Sequence, residues 1–315
     1  MIVIVTERTS AMTPHHSVRV ESPTERRNPR TLDIDRLPTV EVLRLLNAED
    51  RTAADAVAAV LPGLALVVDR TVRQLGSGGR LHYFGAGSSG RLAVMDAAEL
   101  IPTFGVRPGL VVAHHAGGSA ALTLPTEGAE DRAEDGAADA ADVGPLDVAV
   151  GITASGRTPY VGGALQAARA AGAFTVLVSA NPQAELAPLA EVHLGVDTGP
   201  EAITGSTRLK AATAHKLLLN SLSTATMVAM GHTYSNLMVD VAAGNDKLRG
   251  RLSAILEEAT GRSPAACAEA LAAAGGELKT ALVGLLADCG PERARSALAA
   301  NGGRVRPALA TAAEG

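Results

Sequence analysis

The chain has 315 residues, room for one large domain or two smaller ones, and 47% of them are apolar, ample for a core. Only 2% are aromatic and the formal net charge is −5, so base-stacking and polyanion-binding surfaces are not expected and any cation in a site acts locally. No run approaches the roughly 18 apolar residues of a membrane span, and the apolar start at 1–5 is too short for a secretory leader. A soluble, cytoplasmic protein follows, with neither membrane nor nucleic acid as partner.

Residues 1–22 carry no periodic pattern and read as a loose, disordered extension. A helical segment is expected over 23–78, with Thr39 capping a helix to Leu46 and a second helix running over 49–75. From 79 to 244 apolar strand runs alternate with helices, the pattern of a parallel α/β sheet, with strands over 81–84, 109–113, 148–152, 174–179 and 192–196. Strand signals then stop, and 245–315 reads as a small helical subdomain with helices over 247–259, 264–274, 277–286 and 291–300. Ser263 with Pro264 is a helix-start signal there. Cys267 and Cys289 are too few for a disulfide framework, lack metal-ligand spacing and are expected as small buried thiols within helices.

Three strand-to-helix turns carry the chemistry. The first is Gly85-Ala86-Gly87-Ser88-Ser89-Gly90-Arg91, where glycines let the backbone approach a ligand and the following helix, expected over 92–100, offers free N–H groups to an anion. Gly87, Ser88 and Ser89 are its candidate ligands. The spacing also matches G-x-G-x-x-G, but a dinucleotide site needs an acidic residue about 20 residues on. The second strand ends instead in His114-His115-Ala116-Gly117-Gly118, without a carboxylate. The second turn supplies Ser155, Gly156, Arg157 and Thr158 before Pro159, which suits a first helical position, and Thr153, Ser155 and Thr158 would cluster there. The third supplies Ser206, Thr207 and Lys210 before a helix to about Met230. One such turn is compatible with a tight bend that holds nothing; three point to a polyhydroxylated, phosphorylated ligand.

The residues alone do not select an acid or a base. Glu99 stands at a helix end, where a lone glutamate is usually solvated. Glu127, Glu130, Asp131 and Glu134 fall at helical spacing, the mark of an acidic face or charged first turn. His215 lies inside the long helical segment and reads as a packing residue, while His114 and His115 end a strand near the presumed site.

Several stretches in order resemble the N-acetylmuramic acid 6-phosphate etherases of the sugar isomerase (SIS) superfamily. They are 85–92, 96–99 with Pro102-Thr103-Phe104-Gly105, 127–131, 154–161, 204–210 and 236–241, and the similarity spans about 24–309. The resemblance implies a SIS-type parallel sheet flanked by helices and a lyase that cleaves the D-lactyl ether at C3 of N-acetylmuramic acid 6-phosphate, in amino-sugar recycling. It places Glu99 as proton donor to the leaving lactyl oxygen and Glu130 as the second catalytic carboxylate, with Glu99 starting protonated and Glu130 ionised. It implies a homodimer and no cofactor, neither nicotinamide nor metal. Ser88 stands where that family usually has Thr, Ala98 where Ser is common and Ala212 where Gly is frequent. A sugar-phosphate-binding regulator without catalysis and a phosphosugar isomerase share the phosphate turns and are the competing readings; neither needs both Glu99 and Glu130.

Overall fold

The protein is described here from a computed structural model over residues 22–124, 126–241 and 246–313. Of the extension expected over 1–22, all but Ser22 lies outside the described residues. Five parallel strands form the central sheet: β1 (Leu81–Gly85), β2 (Val111–His115), β3 (Val148–Thr153), β4 (Phe174–Ser179) and β5 (Val192–Gly195), in the order β2-β1-β3-β4-β5. β1, β3 and β4 are buried along their whole length, whereas the edge strands β2 and β5 are mostly half-buried. That is why the inner strands read as continuous apolar runs rather than alternating ones.

The two faces of the sheet are covered by different helices. Leu81, Tyr83, Val148, Val150 and Ile152 face a core shared with α1 (Thr39–Ala58), α2 (Leu61–Gly76), α3 (Gly87–Phe104) and α6 (Lys210–Met230). Phe84, Ala149 and Leu177 face the other way, onto α5 (Pro159–Ala170), which packs against the short α4 (Ala133–Asp139). The alternation follows from the two-residue period of a strand.

The N-terminal helices divide differently from the sequence expectation. α1 runs unbroken through Asn47 and Ala48, which contain no helix-stopping residue, and the break comes at Ala59-Val60. Pro62 in the first turn of α2 has no N–H to give to a preceding turn, so it begins a helix instead of continuing one. Thr39 is the first helical residue and Pro38 the flanking one, with no side-chain cap. α3 starts five residues earlier than expected, so the glycine-rich turn is itself the first turn of the helix.

Beyond a two-stranded hairpin, β6 (Thr233–Tyr234) and β7 (Leu237–Met238), five helices build a second core around Leu252, Leu256, Cys267, Leu282 and Leu298. They are α7 (Asp246–Thr260), α8 (Pro264–Ala273), α9 (Leu278–Ala287), α10 (Pro291–Ala300) and α11 (Val305–Ala313). Ser263 caps α8 by accepting the Ala266 N–H, as its position suggested. Cys267 is buried in α8, but Cys289 is half-buried in the break after α9 rather than inside a helix, because Asp288 ends that helix in a left-handed conformation. The hairpin, α4 and α11 have no counterpart in the sequence reading; Pro307, which looks like a breaker, lies in the first turn of α11, where it is tolerated.

Among the described residues no single helix is long and apolar enough to cross a membrane.

Candidate active site

β1 leads through α3 toward β2 on one side, and the chain then crosses to β3 on the other side of β1. The crevice above the carboxyl ends of β1 and β3 is therefore a topological switch point, where open α/β sheets bind ligands. Gly85 at the end of β1 pairs with Ile152 near the end of β3, so the two following turns stand side by side.

The first turn is shaped by close packing. A Cβ on Gly90 would lie 2.5 Å from the Gly85 carbonyl oxygen and from His115 Cδ2, so only glycine lets α3 sit this low on the strand ends. Gly87, at φ +54°, faces open space. Its neighbours Ser88 and Ser89 complete the first turn of α3, whose leading N–H groups have no partner within the helix. This end of α3 carries partial positive charge and suits an anion.

The second turn is a hydroxyl cluster, as its sequence suggested. Thr153 Oγ1 lies 2.7 Å from Thr158 Oγ1 and 3.4 Å from Ser155 Oγ, and the Gly156 and Arg157 N–H groups donate to Thr153 and Ser155 side chains. Asn181 Nδ2 donates to the Ser155 carbonyl and holds the turn from the next strand end. α5 then begins with Pro159 in its first turn. Arg157 pairs with Glu185 rather than standing free.

A pocket of about 350 Å³ opens beside the first turn, lined by Gly87, Arg91, His115, Thr126, Glu127 and Glu130 among others. Glu130 lies on a single 3-10 turn (Ala129–Asp131), and buried Ala129 anchors that turn against the core beneath. The helical spacing of Glu127, Glu130, Asp131 and Glu134 does not make one face, because Gly128 turns left-handed at φ 71° and Arg132 is extended. Arg91 donates from Nε to the Leu122 carbonyl and from Nη2 to the Ala121 carbonyl, both at 2.7 Å, which ties the loop over the pocket to α3. His115 packs across the floor, Nδ1 to the Ala116 carbonyl and Nε2 to the Gly87 carbonyl.

Glu99 is not in this pocket. It is exposed on the outward side of α3, twelve residues beyond Gly87, or about 18 Å along the axis at 1.5 Å per residue. Within one chain the two glutamates named by resemblance do not share the pocket.

The third turn is built unlike the other two. The buried Glu201 carboxylate accepts the Lys210 and Ala211 N–H groups, both at 2.9 Å, so the start of α6 already holds an anion supplied by the chain itself. Burial pushes Glu201 above the usual carboxylate range, against those two N–H groups. Lys210 is fully buried and its ammonium donates to Glu49 at 2.8 Å. Glu49 also accepts from Asn28 and from Arg30, whose guanidinium holds its carboxyl down at about 2 against the opposing effect of burial. The sequence offered Lys210 as a phosphate ligand; its ammonium is instead committed to Glu49. Ser206 and Thr207 remain half-buried in the turn above it.

Arg91, Glu201 and His215 were not candidates in the sequence reading, whereas His115 was read there as ending a strand near the site and does line the pocket. Arg91 closes the glycine motif and was the most findable. His215 was legible only as a packing residue, although its ring meets Ser89 in the first turn. Behind that turn Asp96 accepts from Tyr83 at 3.0 Å and from Ser223 at 3.0 Å, and burial raises its carboxyl above the ordinary value.

Comparison with known proteins bears on this site directly. A family model described as the glucokinase regulatory protein N-terminal SIS domain matches residues 63–169, which include the first turn, the pocket and the second turn. The chain is 62% identical over 267 residues to an N-acetylmuramic acid 6-phosphate etherase of Thermobifida fusca (strain YX), covering 85% of this chain and 88% of that protein. It is 50% identical over 288 residues to the etherase of the same name from Cutibacterium acnes (strain DSM 16379 / KPA171202), covering 91% and 95%. Among solved structures, a phosphoheptose isomerase from Francisella tularensis aligns with a TM-score of 0.49 at 18% identity, over 61% of this chain and 100% of that one.

Proposed function

The chain belongs to the N-acetylmuramic acid 6-phosphate etherase family, and from that premise we propose how its residues divide the work of a carbon–oxygen lyase. The substrate is N-acetylmuramic acid 6-phosphate, and the products are N-acetylglucosamine 6-phosphate and D-lactate. The phosphate rests on the start of α3, at Gly87, Ser88 and Ser89, and on the hydroxyl turn of Ser155, Gly156 and Thr158. Opening of the sugar ring exposes an aldehyde at C1, which acidifies the C2 proton. Glu130 takes that proton, and Glu99 protonates the C3 ether oxygen as lactate leaves, since an alkoxide is a poor leaving group. Water then adds at C3 of the unsaturated intermediate with the two roles reversed. Each positioned acid or base contributes about 10²–10⁴-fold.

The observation that carries the arrangement is the separation of the two glutamates. Glu130 lines the pocket while Glu99 lies about 18 Å up the same helix that starts there. A second copy of the chain supplies the missing carboxylate. The outward side of α3 around Glu99 exposes Met95, one turn away, and α6, packed on α3, exposes Val228 along a shallow trough with Leu217, Thr224 and Ala225. This apolar surface is the face a homodimer would cover, and it delivers Glu99 of one copy to the pocket of the other.

The chemistry is tested by lactate release in ¹⁸O water. Wild type should place ¹⁸O in the C3 hydroxyl of the sugar product, and Glu99→Ala and Glu130→Ala should each abolish release. Folded wild type that binds the sugar phosphate and releases no lactate would turn the reading toward a regulator.

A further inference from the structure

His215 sits in the second turn of α6 with no solvent exposure, and its Nδ1 lies 3.3 Å from the hydroxyl of Ser89 on α3. Its other ring nitrogen, Nε2, is buried and has no hydrogen-bond partner among the described residues. Burial pushes the imidazole down to about 4, so it is neutral at pH 7 and carries one ring proton. A packing role alone does not account for an imidazole here. Leu or Met would fill the same space without the cost of burying a polar ring that is only half satisfied.

The unpartnered nitrogen selects the tautomer. Either tautomer can bond to Ser89, through Ser89 O–H to a bare Nδ1 or through Nδ1–H to the serine oxygen. They differ in what is left at Nε2. The first leaves a buried N–H without an acceptor and the second a bare lone pair; on the backbone, orphaned buried N–H groups are rarer than under-satisfied acceptors, and we carry that preference over to the ring. With the proton on Nδ1, Ser89 Oγ is an acceptor toward the protein and its own O–H proton is free.

We propose that His215 is a positioning residue: by donating from Nδ1 to Ser89 Oγ it turns the serine O–H outward as a donor to the substrate phosphate held at the start of α3. The proposal rests on the reading of that turn as the phosphate site. It gives the turn a side-chain O–H donor beside the backbone N–H groups of α3, as an anionic acceptor requires.

Four variants and one spectroscopic measurement test it, on the full-length enzyme. Inorganic phosphate, as a competitive inhibitor of lactate release, probes the turn directly. His215→Leu should raise the phosphate inhibition constant and KM about tenfold, the worth of one charge-assisted hydrogen bond, with kcat within about threefold. His215→Asn, which keeps an amide donor at the δ position, should restore most of the loss. Ser89→Ala should show the same loss as His215→Leu, and the double variant should be no worse than either. In ¹⁵N-histidine-labelled wild type, His215 should carry its proton on Nδ1. A proton on Nε2, or equal further loss from His215→Leu in the Ser89→Ala background, would overturn the proposal, and the first result needs no variant to fold. Ser89→Ala with an unchanged phosphate constant, beside an Nδ1-protonated His215, would overturn the phosphate reading of the turn itself.

Discussion

Lys210 has two possible roles, phosphate ligand or buried anchor, and Glu49→Ala separates them. The substitution leaves the Lys210 ammonium, only 1% exposed, without the carboxylate oxygen that now lies 2.8 Å away. Removing one partner of a buried pair costs about 3–5 kcal/mol, because the remaining charge has neither water nor a counter-ion. Arg30 is 56% exposed and can turn to water, so Arg30→Ala should cost only about 1–2 kcal/mol. The expected order is therefore Glu49→Ala below Arg30→Ala, by a melting-temperature difference of about 3–5 °C at fixed protein concentration. Replacing the pair together, Glu49→Leu with Lys210→Met, should recover most of the loss, since two apolar chains of similar volume carry no desolvation cost. The KM of Lys210→Met, measured well below its melting temperature, should stay within about twofold of wild type. A tenfold rise in that KM with unchanged stability would refute the anchoring role and return Lys210 to the phosphate.

The same carboxylate gives a pH dependence of fixed sign. Glu49 is held at about 2 when folded and titrates near 4.5 when free, so its contribution is complete above about pH 4.5 and lost as the pH falls toward 2. The acid limb of the stability curve should flatten in the Glu49→Leu, Lys210→Met double variant; an unchanged limb would place the acid sensitivity elsewhere. At the first turn, Gly90→Ala forces a Cβ to 2.5 Å from a backbone carbonyl and should cost about 1–3 kcal/mol plus backbone displacement. Gly87→Ala meets no protein atom within 4 Å and should cost only the left-handed conformation, about 1–2 kcal/mol. Thermal melts that rank Gly87→Ala as the more damaging would contradict this account of the packing.

The elements legible in the sequence were those whose signals are local. Buried strands such as Phe174–Ser179 read as unbroken apolar runs, and α10 begins where Gly290-Pro291 announces it. The start of α3 was misjudged because Gly87, Ser88, Ser89 and Gly90 are poor helix formers, and it is the fit of Gly90 against Gly85 and His115 that holds them helical. α11 was missed because Pro307 looks like an end rather than a beginning.

The site divides in the same way. The hydroxyl turn at Thr153, Ser155 and Thr158 was readable because the residues that meet are within five positions of one another. The fate of Lys210 was not, since Glu49 is 161 residues away, and neither was the link from Ser89 to His215 across 126 residues. Glu99 and Glu130 came from resemblance alone. A glutamate at a helix end carries no local mark of catalysis, and Glu99 lies exposed on α3, outside the pocket that Glu130 lines.

The most direct measurement is therefore activity of a mixed dimer. Glu99→Ala and Glu130→Ala chains, carrying different tags and purified as the heterodimer, would combine one intact Glu130 with one intact Glu99 across the interface. If the carboxylates of one site come from two chains, this dimer has one complete site and releases lactate at about half the wild-type rate per dimer, while each parent homodimer is inactive. A heterodimer as inactive as its parents would contradict the shared site and require both glutamates to act from the same chain.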